Sequence, residues 1–241
     1  MTNTFKNKVV MITGAAGNLG RAVCEHFAQE GAKLVMVDSK MEYLQTAVTA
    51  IGIAKSRTLL LTGDLSKTKD ADTIVNRAAR KFGQIDVLVH TVGGFATGDP
   101  VHKLPDTSQF EKMMVLNAQT TYVTLGRVAR HMVENNTAGA MVTVLARSGL
   151  KGAKGMAAYT AGKAAAERIM QSMAEELKEH NIRVNGVMPS TIDTPANRKD
   201  MPDADPNKWV KPSQLADVIA FLCSDAASAM TGESVAVYNK V

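Results

Sequence analysis

The chain has only two cysteines, Cys24 and Cys223, each alone in an apolar pattern with helical spacing. No disulfide framework or closely spaced set of metal ligands can be built from them, so no metal is expected and both thiols read as buried and reduced. Aromatic residues make up only 5% of the chain, with a single tryptophan, Trp209. No apolar run reaches the length of a membrane span. The first one, Val9–Ile12, follows a polar Met1–Lys8 stretch and is too short for the core of a secretory leader. A cytoplasmic protein with no membrane partner is therefore expected. There is also no internal repeat, low-complexity tract or linker, which predicts one domain spanning residues 1–241.

A net charge of +5 raises the question of a polyanionic partner. The basic residues are scattered and interleaved with acids, as in Glu175, Glu176, Lys178 and Glu179, so the charge reads as a solvated helix face and no nucleic acid is expected. A hydrophobic content of 45% is enough to build a sizeable core.

Seven short apolar runs, often rich in valine, read as strands: Val9–Thr13, Lys33–Asp38, Arg57–Thr62, Asp86–His90, Ala140–Leu145, Arg183–Met188 and Ser234–Tyr238. Between most of them lie stretches with helical spacing, such as Arg21–Glu30 and Ala71–Phe82. This alternation predicts an α/β fold: a doubly wound parallel sheet of about seven strands with helices on both faces. Five of the seven prolines fall between Met188 and Ser213, too many for regular structure, so residues 189–212 read as a substrate lid.

Thr13-Gly14-Ala15-Ala16-Gly17-Asn18-Leu19-Gly20 follows a strand and opens a helix, the setting in which a glycine-rich string is a credible pyrophosphate cradle. Asn18 stands where a small residue is usual, and its tolerance of left-handed backbone keeps the turn feasible. Asp38 ends the second strand, where a carboxylate accepts from ribose hydroxyls and repels a 2′-phosphate. With no basic residue directly after Asp38, and Lys40 the nearest, NAD(H) is favoured over NADP(H). Tyr159 and Lys163 are four apart, so on a helix they share one face, a geometry suited to a proton donor and the ammonium that tunes it.

Together, Thr13–Gly20, Asp38, Asp64-Leu65, Gly93, Asn117, Tyr159-x-x-x-Lys163 and Pro189-x-x-Ile192 resemble the short-chain dehydrogenase/reductases over nearly the whole chain. The resemblance implies a Rossmann-type fold, an oxidoreductase acting on a small molecule, and a homo-oligomer, dimer or tetramer, packed through the Tyr159 helix and its predecessor. It implies adenine contacts at Asp64 and Leu65, cofactor contacts at Gly93, and a nicotinamide border of Pro189, Ile192 and Thr194. Lys163 would also hold the nicotinamide ribose, and Asn117 would support a water-linked proton path to it.

Besides Asn18 and the shifted middle glycine of the loop, the pattern departs from the family in two places. The serine normally found thirteen residues before the tyrosine is Ala146, leaving Ser148 as the nearest substitute, and the usual Asn-Asn-Ala-Gly is His90-Thr91-Val92-Gly93. His90 reads as a structural replacement for the missing amide. The missing serine, the Val92–Ala96 stretch and the run from Met188 to Lys199 with Trp209 are similar to the dihydropteridine reductase branch. That likeness implies a quinonoid dihydropterin as a possible substrate, with Phe95 and Trp209 stacking on its ring. An ordinary ketone or secondary alcohol, or a silent NAD-binding scaffold, are the alternatives.

Overall fold

Alternate residues of each strand feed two different cores. In β1 (Val9–Thr13), Val9 and Met11 join one apolar cluster while Val10 and Ile12 join the other, the period-two consequence of the pleat. Every residue of β1 is buried, as expected for a strand covered on both faces. The computed structural model describes residues 4–241. Its order continues α1 (Asn18–Gln29), β2 (Lys33–Asp38), α2 (Met41–Ile51), β3 (Thr58–Thr62), α3 (Thr68–Phe82), β4 (Val87–His90), α4 (Ser108–Met113), α5 (Thr120–Glu134), β5 (Gly139–Val144), α6 (Ala157–Leu177), β6 (Ile182–Pro189), α7 (Pro195–Asp200), α8 (Pro212–Cys223) and β7 (Ser234–Val237).

The seven strands form one parallel sheet in the order β3-β2-β1-β4-β5-β6-β7. Helices α3, α5 and α6 cover one face through Ile74, Leu125, Met132 and Met170, and α1, α2 and α8 cover the other through Phe27, Leu44 and Ile219. Strand order reverses between β1 and β4, which opens a crevice at their carboxyl ends, the place where doubly wound sheets receive ligands. Cys24 and Cys223 are buried free thiols, and burial pushes the Cys223 thiol up to about 12. Among the described residues no helix is long and apolar enough to cross a membrane, and no group of acids, cysteines and histidines is arranged to hold a metal.

The Pro-rich stretch contains regular structure, against the sequence expectation. Pro195 opens α7 behind the Thr194 side chain, which accepts from the Asn197 N–H at 3.2 Å, and Pro212 opens α8. Proline's missing N–H costs nothing in a first turn, where that group has no intrahelical partner. The excursion is closed at its base by a bridge between Ile192 and Val210.

Candidate active site

The first wall of the crevice is the β1–α1 loop. Gly14 has φ of +68°, and a Cβ there would lie 2.6 Å from Thr91 Oγ1. A Cβ on Gly20 would run into the Gly14 carbonyl, so both positions need glycine for close approach. Gly17 precedes α1 and no side chain caps the helix, which leaves first-turn N–H groups available to an anion. Asn18 lies inside α1 in ordinary helical backbone; the left-handed residue of the turn is Gly14, which corrects the role expected of the asparagine. Leu19 is half-buried against the core. Arg21, which no sequence pattern marks, donates from its Nε to the Ala16 carbonyl at 2.7 Å and braces the loop.

Asp38 is fastened beside this loop. Its carboxylate accepts from the Ala16 N–H at 3.0 Å and from the Ser39 N–H at 2.8 Å. Asp64 accepts from both the Ser66 N–H and hydroxyl, and these bonds hold its carboxyl below the usual range. The Leu65 side chain belongs to the core.

Gly93, Asn117 and Lys163 converge across the crevice. A Cβ on Gly93 would lie 2.9 Å from Asn117 Oδ1 and 3.1 Å from Lys163 Nζ. The Asn117 amide pairs with the Gly94 backbone in both directions, at 3.1 Å each, and also donates to the Met113 carbonyl at 3.0 Å. With that carbonyl taken by a side chain, the helix widens into a π turn over Met114–Gln119, a distortion that recurs at functional sites. Lys163 Nζ donates to the Val144 carbonyl at 2.9 Å, and burial brings the ammonium down to about 8.

Tyr159 lies one turn before Lys163 on α6, with Phe95 packed edge-on at 5.0 Å. Burial pushes its phenol up to about 12, so without a bound cofactor the protein holds the neutral phenol. Gly98 N–H donates to the Gly155 carbonyl at 3.0 Å, and Gly155, at φ +72°, has no room for a Cβ against the Gly98 carbonyl. This clasp between the loop after β4 and the loop before α6 was not legible beforehand; Gly98 and Gly155 carry no pattern that links them.

Ala146 is buried and leaves no hydroxyl at the family's serine position. Ser148 is half-buried in the following turn. Phe95 is 61% exposed, whereas Trp209 is 4% exposed. Trp209 therefore packs into the protein and is not an open stacking surface, which corrects its expected substrate role. Pro189 ends β6, with Ile192 and Thr194 just beyond it.

His90 is structural, as expected. Its Nδ1 bonds Thr13 Oγ1 at 2.8 Å, and burial followed by the charge of Lys163 holds the ring down to about 3. An unfolded histidine titrates near 6.5, so between about pH 6.5 and 3 the unfolded chain binds one more proton than the folded one. Stability is thus expected to fall with acidification across that window, by a factor of about ten in the folding constant per pH unit from this group. Denaturant titrations should show a shallower acid limb for His90→Asn than for the parent; identical limbs would remove His90 from the account.

Residues 8–205 match the family model for short chain dehydrogenases, and the chain belongs to that family. It is similar to an L-rhamnose 1-dehydrogenase (NAD(P)(+)) of Sphingomonas sp. strain SKA58, at 31% identity over 97% of this chain and 95% of the relative. It is also similar to an NAD-dependent glycerol dehydrogenase of Listeria innocua, at 30% identity over 96% and 92%. Among solved structures, NAD+-bound xylitol dehydrogenase superposes with a TM-score of 0.87 at 26% identity, covering 97% of this chain and 98% of the other. The chain is accordingly a short-chain oxidoreductase of the kind that uses a nicotinamide cofactor. The glycine cradle, the tethered Asp38 and the buried Lys163 ammonium suit such a group.

Proposed function

We propose that this chain is an NADH-preferring reductase of a small carbonyl or planar substrate, with Tyr159 as proton donor. The observation that carries this reading is the convergence of Gly93, Asn117 and the Lys163 ammonium at the switch point of the sheet, one helical turn from Tyr159. When bound, the nicotinamide supplies or takes up hydride. Gly14, Gly17 and Gly20 give the pyrophosphate room to approach, and Asn18, Leu19 and Gly20 hold it on first-turn backbone N–H groups. Asp38 takes the ribose hydroxyls and repels a 2′-phosphate, which favours NADH over NADPH. Asp64 and Leu65 border the adenine, and Pro189, Ile192 and Thr194 border the nicotinamide.

On the substrate side, Lys163 orients the nicotinamide ribose and holds positive charge near the phenol, and Tyr159 delivers its proton to the substrate oxygen. Asn117 fixes Gly94 and so keeps that wall in place. The hydroxyl of half-buried Ser148 stands in for the donor missing at Ala146. Residues 189–212 close over the substrate as a lid, within one domain that spans the chain.

A second reading is favoured by Ala146 and exposed Phe95 together: a quinonoid dihydropterin, which needs no donor on a ketone oxygen and presents a flat ring to Phe95. A homo-oligomer is proposed through the α6 face that leaves Ala164, Ala165 and Ile169 half-buried.

NADH oxidation, with NADPH in parallel, should be followed against small ketones, keto-sugars and quinonoid dihydropterin. The expected result is ketone or keto-sugar turnover several-fold faster with NADH. Fast turnover of the pterin alone would move the assignment to the second reading, and tight NADH binding without turnover on any substrate would overturn both. A monomer mass by light scattering would overturn the oligomer.

A further inference from the structure

The end of β7 and the segment that follows it touch three parts of the substrate side at once. At the start of the lid, Ser190 N–H donates to the Val237 carbonyl at 3.2 Å and Ser190 Oγ to the Tyr238 carbonyl at 2.7 Å. The Tyr238 hydroxyl meets Met188 Sδ at 3.4 Å. At the end of the lid, Asn239 Nδ2 donates to the Trp209 carbonyl at 2.8 Å and Lys240 N–H to the Lys208 carbonyl at 3.2 Å. The third part is the turn after β5: the Arg147 guanidinium lies 4.8 Å from the centroid of the Tyr238 ring. Arg147 directly follows Ala146, the position of the family's serine, and precedes Ser148, its proposed substitute.

We propose that Tyr238 and Asn239 are positioning residues for the substrate half of the site. They form a strap that fixes both ends of the lid and, through Arg147, sets the turn that presents Ser148. The proposal rests on the lid and Ser148 reading given above. The backbone is committed to this shape: Asn239 sits at φ +53°, a left-handed conformation that asparagine adopts more readily than most residues and that places its amide toward Trp209. Trp209 is itself buried, so a bond to its carbonyl ties the strap to a packed side of the protein. None of these residues belongs to the glycine loop or to Asp38, so loosening the strap leaves the adenosine half of the cofactor site intact.

Two variants separate this role from a general loss of structure. Asn239→Gly tolerates the left-handed backbone without strain and removes the bond to Trp209. Tyr238→Ala removes the ring beneath Arg147, whereas Tyr238→Phe keeps it. Lys199 and Lys208 are exposed trypsin sites within the lid. Asn239→Gly is expected to speed cleavage there about fivefold, the factor that one net hydrogen bond is worth, and Tyr238→Ala at least as much. The KM for the carbonyl substrate should rise in step, with NADH affinity by fluorescence unchanged and with Tyr238→Phe, which loses only the Met188 contact, closer to the parent than Tyr238→Ala on every readout.

Parental cleavage rates in both Asn239→Gly and Tyr238→Ala would overturn the strap. Faster cleavage with an unchanged KM, or with NADH affinity falling in proportion, would overturn the positioning role. If the parent turned over no carbonyl substrate, the function reading would fail on its own, and the cleavage rates would still decide the strap.

Discussion

Replacing Tyr159 with Phe is expected to lower kcat by about 10² to 10⁴, the range one positioned proton donor contributes, while NADH affinity by fluorescence stays that of the parent. The ring is retained, so its edge-on contact with Phe95 at 5.0 Å and the packing of α6 survive. The substitution therefore deletes a proton and little else. The phenol, pushed up to about 12 by burial, remains protonated at every working pH, which suits a donor in the reductive direction. For the oxidative direction the same burial is an obstacle, and the phenolate must then be favoured by positive charge brought in with the oxidised cofactor and by Lys163. Tyr159→Phe turnover at the parental rate would remove Tyr159 from the mechanism and leave the cluster around Lys163 as a cofactor site only.

Much of this site was legible because its parts are local. A glycine string after a buried strand, an acid at the end of the next, and a Tyr-Lys pair one helical turn apart each have a reason that can be read within a few residues. The strands β1 and β2 fall where their apolar runs do, since burial on both faces leaves no polar residue inside them and Gly14 and Asp38 mark their ends. Errors arose where one residue has two uses. Pro195 and Pro212 read as breakers, yet each starts a helix. Asn18 was credited with a left-handed turn that Gly14 makes. Trp209 was set against the substrate, but a lone large ring buries more apolar surface in the core, where the structure places it. Long-range pairings had no local signal. The Gly98–Gly155 clasp and the Tyr238–Arg147 stack depend on loops that meet only after the sheet has assembled. The raised phenol of Tyr159 belongs to the same class, because burial is a property of the packed chain.

Lys163 sets the pH behaviour of the proposed reaction. Its ammonium is brought down to about 8 by burial, so it carries its charge below that pH and loses it above. The phenol of Tyr159 stays protonated across the same range, so it adds no second limb below about 12. For NADH-dependent reduction, kcat/KM is therefore expected to be flat from neutral pH to about 8 and then to fall tenfold per pH unit, since this parameter reports the free enzyme. The fall follows from the loss of the cation that orients the ribose and favours proton release near the phenol. Lys163→Arg tests the sign directly. A guanidinium keeps its charge throughout, so the alkaline limb should disappear even though the absolute rate drops because the fork cannot reproduce the 2.9 Å bond to the Val144 carbonyl. Lys163→Met removes the charge at all pH values and should cost at least the 10²-fold expected of a lost electrostatic donor. A limb that persists unchanged in Lys163→Arg would place the titrating group elsewhere and would leave the lysine with a purely structural hold on β5.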